Sequence, residues 1–337
     1  MTKQEFIDRL TNELSQLDIG EQAGVIDYYN EMIDDGIENG KDETEMIESF
    51  GDPKQIADLL LSESGRLAEN VNNPAAQDNL EINHSISTYD GRSCTAQEPV
   101  NHIVIEAKNS NIVTRIVPAG PVTVRFDQRD CDRIECTESD GTFFFRQNIR
   151  MNLFDLRSLF YGVRTVTVEI PEDYDGSLSI ETSNAKIGCS DLTGLTKIRL
   201  KTSNAKTSAV NLACAEFEAK TSNAKLILED VKACIGYAQT SNAKLEAVDC
   251  DFSDSIRLVT QNDGLRVSSL SCPHIELKTG NAKISGTVIG SLRDYAVTSR
   301  TSNAQSSLPT SLPGGDGRTI DVKTSNAPID LKFESRD

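Results

Sequence analysis

Thr182-Ser183-Asn184-Ala185-Lys186 returns as Thr202-Ser203-Asn204-Ala205-Lys206, and again from Thr221 and Thr240. The same frame continues as Thr260-Gln261-Asn262-Asp263-Gly264, Thr279-Gly280-Asn281-Ala282-Lys283, Thr301-Ser302-Asn303-Ala304-Gln305 and Thr324-Ser325-Asn326-Ala327-Pro328. The central asparagines, Asn184, Asn204, Asn223, Asn242, Asn262, Asn281, Asn303 and Asn326, lie 20, 19, 19, 20, 19, 22 and 23 residues apart. Such a period marks a repeat architecture, in which each unit buries its apolar face on its neighbours.

Residues alternate in polarity on both sides of the block, as in Leu178-x-Ile180, Ile198-x-Leu200 and Ile275-x-Leu277 before it and Leu226-x-Leu228 after it. That period of two reads as strand, turn, strand, loop. Nineteen residues cannot hold two strands and a crossover helix, so equivalent strands are expected to stack in parallel about 4.8 Å apart. The predicted fold is a parallel β-solenoid, β-helix-like, with a repeat of 19–23 residues. Upstream, Val104 to Ile112 aligns with the later units and puts Asn109 at the repeat position, so the array starts near residue 99.

The block asparagine has two readings. It tolerates a left-handed corner and can bond its counterpart in the next unit, which makes a structural ladder of Asn109 and the eight later residues; or it faces a ligand. The lysines that follow, Lys186, Lys206, Lys225, Lys244 and Lys283, fall on outward positions and are expected to line one edge. Either acids such as Glu181, Glu218 and Glu246 balance them, or the edge binds an anionic polysaccharide. Direct nucleic-acid contact is not expected, because the chain carries a net charge of -18 and no row of aromatics accompanies the lysines.

Residues 1–70 read differently. They hold 5 Lys and Arg against 18 Asp and Glu. Phe6, Leu10, Leu14 and Leu17 recur at helical spacing, as do Ile26, Tyr29, Ile33 and Ile37 before a possible cap at Asn39-Gly40. A short helix from Glu43 to Phe50 is expected to stop at Gly51, with Asp52 and Pro53 starting another. Glu43, Glu45 and Glu48 lie on this acidic bundle, which is either a solvated surface or the docking surface of a basic partner. The predicted organisation is α+β as two separate domains: a helical bundle at 1–68, a linker at 69–98 and the repeat domain at 99–335.

Residues 142–161 hold five of the eleven Phe, interleaved with Arg146, Arg150 and Arg157. A cap on the open end of the repeat, a partner or dimer contact, and a membrane-surface patch are the readings for this segment. The eight cysteines occur singly, without the pairs that zinc sites use, and those at 214, 234 and 272 fall 10, 11 and 10 residues after their block asparagine, suggesting similar buried places. No metal and no cofactor are expected. Motifs for zinc hydrolysis, nucleophilic serine, phosphate loops and dinucleotides are missing, and the three histidines share no spacing, so the chain reads as non-catalytic. No secretory signal or transmembrane segment is visible, so the expected location is cytoplasmic.

Two resemblances extend this reading. The segments EFIDRL, Tyr28-Tyr29, ENGKDE and ESFGDPKQIA make residues 1–63 resemble the HAAS-type helical domain. That resemblance implies a bacterial signalling module working with a PadR-type transcription regulator. Ile170-Pro171 leading into LSIETSNAKIGCSDLTG makes residues 100–335 resemble the "putative adhesin" family of β-strand-repeat domains of unknown function. Members commonly carry Gly after the repeat Asn, whereas here Ala stands at 185, 205, 224, 243, 282, 304 and 327, so left-handed strain is expected on the asparagines themselves. The expected function is a scaffold or sensor working through protein–protein interaction, a helical head joined to a β-solenoid recognition surface. The alternative is an adhesin-like module that binds an anionic glycan or cell-wall polymer through the lysine ladder.

Overall fold

The computed structural model describes residues 1–15, the positions 22, 25, 26, 29, 30 and 33, then 42–58, 87–89, 93–127, 132–149, 164–315 and 317–335. The chain divides into a helical unit and a β unit.

In the helical unit, α1 spans Lys3–Glu13 and starts on a capping box: the Thr2 hydroxyl accepts from the Glu5 amide at 3.3 Å while the Glu5 carboxylate accepts from the Thr2 amide at 3.0 Å. Helix α2, Glu43–Phe50, is capped by Asp42, which accepts from the amides of Thr44 and Glu45. It ends at Gly51, whose φ of 88° suits a residue without a side chain. Residues 53–58 are helical again, and the Asp52 carboxylate accepts from the Lys54 amide at 3.0 Å, so Pro53 occupies the position where its missing N–H costs nothing. Phe6, Leu10, Leu14, Val25, Ile33 and Ile47 are fully buried. The rings of Phe6, Tyr29 and Phe50 pack on one another at 5.4–5.8 Å. Ile37 and the Asn39-Gly40 cap lie outside the described residues, as do residues 69–86 of the expected linker, His84, Cys131 and residues 150–161 of the phenylalanine-rich segment.

The β unit is one large sheet system of parallel and antiparallel pairs. Strands before the block pair in parallel in unbroken register. One inward column runs Phe145, Ile105, Ile180, Leu200, Ala219, Ala238, Leu258, Leu277, Val322, Ser299. Every member is buried. A second inward column follows the block: Val166, Ile112, Ile187, Thr207, Leu226, Leu245, Leu265, Ile284, Ile329. Alternate residues of each strand thus form the core, and the remainder form outward columns. Residues 87–89 and 93–96, inside the stretch expected as linker, are strands paired with each other and, through 93–95, with Thr123–Arg125.

The tiers do not stack wholly in chain order. At one end the strand His102–Ala107 lies between Thr142–Ile149 and Ser177–Glu181. At the other, Arg318–Lys323 lies between His274–Lys278 and Tyr295–Arg300, so the last unit of the chain is inserted beneath the one before it. Separations of 22 and 23 residues between the last blocks accompany this exchange. Both ends finish in antiparallel pairs: Asp132–Ser139 on Thr142–Ile149, Thr123–Arg125 on Thr165–Pro171, and Ser311–Leu312 on Tyr295–Arg300. Phe143 and Phe145 fill the terminal core, and Arg146 lies over the outward Phe144 ring at 4.8 Å. The described part of the phenylalanine-rich segment is therefore an end tier, covered on its outer edge by an antiparallel strand.

Candidate functional site

Each residue of the repeated block holds the same place. Thr182, Thr202, Thr221, Thr240, Thr260, Thr279 and Thr324 are buried, and their hydroxyls donate to backbone carbonyls of the preceding tier, as Thr240 does to Ala224 at 3.2 Å. The carbonyl at the Ser position accepts two amides from the next tier: Ser203 accepts from Ser222 at 3.0 Å and Asn223 at 2.9 Å. Outside them, the asparagine side chains form a continuous line in which each amide donates to its neighbour's carbonyl oxygen. Its order is Asn109, Asn184, Asn204, Asn223, Asn242, Asn262, Asn281, Asn326 and Asn303, at 2.6–3.0 Å. Asn326 precedes Asn303 because of the exchanged final tiers.

The expected left-handed strain is not on these asparagines. Among the described residues, positive φ at non-glycine positions occurs at Asp140, Asp191, Asn211, Asp230, Asp249 and Ser269. The last five stand seven residues after Asn184, Asn204, Asn223, Asn242 and Asn262, in a second turn of the same tiers. Short polar side chains tolerate that conformation because they bond locally; Asn211 donates to the Asp191 carboxylate at 2.8 Å, which with Ser190 holds Asp191 below its ordinary range. A small polar residue at the seventh position was the available sequence signal for this turn.

The five lysines share one outward column but differ in their partners. Lys225 pairs with Glu246 at 2.7 Å and Lys283 with Asp330 at 2.8 Å. Lys186, Lys206 and Lys244 are exposed and form no ion pair among the described residues. Glu181 and Glu218, expected to balance this column, belong to the opposite side of the block, where Glu181 meets Lys201 at 2.7 Å and Glu218 meets Lys220. The reason is the turn itself, which sends the strand before the block and the strand after it to different faces. Burial raises the pKa of Glu218, yet Lys220, Arg199 and Lys197 outweigh it and hold the carboxylate below its ordinary range.

On the face before the block, the charged columns give way to a groove of about 480 Å³. Its floor is a grid: Ile235, Ser255, His274 and Thr319 in one outward column, Tyr237, Arg257, Glu276 and Asp321 in the next. Ile235 holds the outward place of Glu216 in the tier before it and is 47% exposed, and the following tier is shifted in register between Ala233 and Ile235 at this end of the groove. Beneath it Gly236 faces the core where a Cβ would meet the Phe252 ring at 2.3 Å, so only glycine lets the strand pass over that ring. Arg257 pairs with Glu276 at 3.4 Å, Lys323 with Asp321 at 2.5 Å, and His274 Nδ1 bonds Thr319 at 3.0 Å. Lys220 lies over the Tyr237 ring at 5.0 Å, and the second carboxylate oxygen of Asp321 has no hydrogen-bond partner. Sequence reading missed this grid because Tyr237, Arg257, Glu276 and Asp321 are 84 residues apart from first to last and meet only through register.

The remaining candidates are placed as follows. Glu45 and Glu48 are exposed on α2, whereas the Glu43 carboxylate accepts from the Lys3 amide at 2.7 Å and ties α2 to the start of α1. Cys214 and Cys272 occupy similar places, each Sγ directed at the carbonyl two residues on, and burial pushes both thiols up to about 12. Cys234 departs from that pattern: Ala233 takes the place of Cys214, and Cys234, one residue further along its tier, is exposed. His102 and His274 share an outward column. Among the described residues no cluster of His, Cys, Asp and Glu could hold a metal ion, and no helix is long and apolar enough to cross a membrane.

Comparison with known proteins finds two families on the chain. Residues 5–58 match the HAAS family and residues 100–252 match Toastrack DUF4097. No curated protein matches the chain. Similar solved structures include a "putative adhesin" of Bacteroides fragilis NCTC 9343, 12% identical with a TM-score of 0.43, covering 72% of this chain and 98% of that one. Another is a "putative cell adhesion protein" of Clostridium sporogenes ATCC 15579, 6% identical with a TM-score of 0.23, covering 70% and 94%. The chain carries a HAAS domain at its N-terminal end followed by a Toastrack DUF4097 domain.

Proposed function

We propose that the protein is a non-catalytic scaffold in which a HAAS signalling head, residues 1–68, is joined to a β-solenoid recognition surface whose strands begin at residue 87, and that the head docks a PadR-type transcription regulator in the cytoplasm. The two families support a binding or scaffold role. The observation that carries the reading is the acidic head itself: 18 acids against 5 bases over 70 residues, with Glu45 and Glu48 exposed and free of ion pairs among the described residues. Such a field attracts a basic partner and does so most strongly at low ionic strength. Supporting the solenoid are the parallel register and the asparagine line, which repeat one geometry from tier to tier and give a stiff array.

The test is association of the full chain with a PadR-type regulator at two salt concentrations. Reversal of Glu45 and Glu48 to Lys is expected to weaken binding at least tenfold at low salt, with little difference at high salt. Equal binding by wild type and the reversed variant removes this surface from the proposal. Glu43 belongs to the same acidic patch, but its reversal also breaks the bond to Lys3, so Glu43→Gln is the informative change there.

A second reading is favoured by the three lysines without ion pairs. Lys186, Lys206 and Lys244 project from one outward column and are available to an anionic glycan or cell-wall polymer lying along it. Under this reading, changing Lys186, Lys206 and Lys244 together to Gln abolishes retention on an immobilised polyanion while leaving the sheet intact. Retention by the triple variant excludes it.

A further inference from the structure

The lysine column and the acidic head leave the groove over Ile235 and Tyr237 without a role. Elsewhere on this face outward positions carry neighbouring charges of opposite sign, such as Lys197 with Glu216 and Lys201 with Glu181. Here that pairing persists in one column, as Arg257 with Glu276, while the adjoining column turns uncharged at Ile235, Ser255 and Thr319. Ile235 takes the outward place that Glu216 holds in the tier before it, and the adjoining tiers supply a ring, an imidazole, a guanidinium, two carboxylates and two hydroxyls around one depression.

We propose that this groove binds an uncharged saccharide, on a face distinct from the lysine column and independent of either reading above. Charge argues for the class. Arg257 is neutralised by Glu276 and Lys323 by Asp321, so the floor presents dense donors and acceptors with no excess of either sign. A charged ligand gains little from such a surface, whereas a polyol can donate to the carboxylates and accept from the guanidinium at once. The apolar end argues for a ring with one non-polar face: Ile235 and the edge of Tyr237 stand beside the polar grid, giving the C–H face of a sugar a place to rest while its hydroxyls reach Arg257 and Glu276. Four tiers span roughly 14 Å at the spacing of adjacent strands, which suits a short oligosaccharide lying across the strands. Nδ1 of His274 is engaged by Thr319, which leaves its other ring nitrogen for the ligand.

The experiment is saturation-transfer NMR and an array of neutral oligosaccharides, with cellohexaose, chitohexaose and mannohexaose as named probes, on the full chain. At least one probe is expected to bind, and Tyr237→Ala and Glu276→Gln are each expected to weaken it tenfold or more. Because Tyr237→Ala alters a strand, Ile235→Thr, which keeps a β-branched outward residue, provides a second variant expected to lose at least threefold; each variant's unfolding is compared with wild type. Replacing Lys186, Lys206 and Lys244 by Gln is expected to leave neutral-sugar binding unchanged. The proposal is overturned if no neutral saccharide binds, if binding survives all three groove changes, or if only anionic polymers or peptides occupy the face.

Discussion

Five tiers of the β unit turn twice, at the block and again seven residues later, and the two turns solve the same problem by opposite means. At the repeated block the backbone keeps ordinary φ, and stability comes from side chains and carbonyls shared between tiers: a buried Thr hydroxyl, a Ser carbonyl that accepts twice, and an asparagine amide. Seven residues later the backbone itself turns left-handed, at Asp191, Asn211, Asp230, Asp249 and Ser269, and the side chains need only be short and polar. Inter-tier bonds require the same side chain at every level, because each asparagine must both donate and accept. A left-handed turn is satisfied tier by tier, so Asp, Asn and Ser interchange. Visible repetition in a sequence therefore marks where neighbours bond one another, and conformational strain can sit where repetition is weakest.

The largest expected effect separates the two turns by backbone alone. Asp230→Val places a β-branched residue at φ 49° and is expected to cost about 2 kcal/mol, while Asp230→Gly stays near wild type. At the block, Asn223→Val and Asn223→Ala are expected to cost nearly the same, about 1–2 kcal/mol, because each removes one bond to Asn204 and one from Asn242 and neither meets a φ penalty. Urea unfolding of the four variants checks both statements; a large gap between Asn223→Val and Asn223→Ala breaks the comparison.

A smaller effect has the opposite sign. Thr207 is fully buried in the column otherwise filled by Ile187, Leu226 and Leu245, and its hydroxyl has no partner. Thr207→Val should raise stability by about 1 kcal/mol, since it removes an unsatisfied polar group without changing shape. The smallest effect is a pH dependence confined to one turn. Asp191 is held below its ordinary range by Asn211 and Ser190, so its contribution is present at neutral pH and fades only as pH falls through that lowered value. Asn211→Ala is then expected to raise the Asp191 value toward the ordinary range in an NMR titration, with Ser190 still bonding it, whereas Asn204→Ala, at the block, leaves that titration untouched.

Much of the architecture could be read from residues alone. The block period, the alternation on either side of it, Asp52-Pro53 as a helix start and the apolar row Phe6, Leu10, Leu14 all rest on interactions within a few residues or on strict repetition, and both leave a pattern along the chain. Asn109 was found because its surroundings repeat those of Asn184. The matched partners of the lysines were not legible, since Glu181 lies close in sequence to Lys186 yet is carried to another face, while Asp330, distant in sequence, is brought to Lys283.

The exchanged order of the final tiers was hidden for the same reason. Asn303 and Asn326 sit in nearly identical blocks, so either could bond Asn281, and only packing of Arg318–Lys323 against His274–Lys278 selects Asn326. The sequence by itself determined that there would be tiers, where their corners lie and which residues face inward, because these follow from local periodicity. Only the tertiary structure decided which tier lies on which, which charges meet and which outward residues share a groove, because a parallel register joins residues 19 to 75 positions apart and repeated units leave several such joinings locally equivalent.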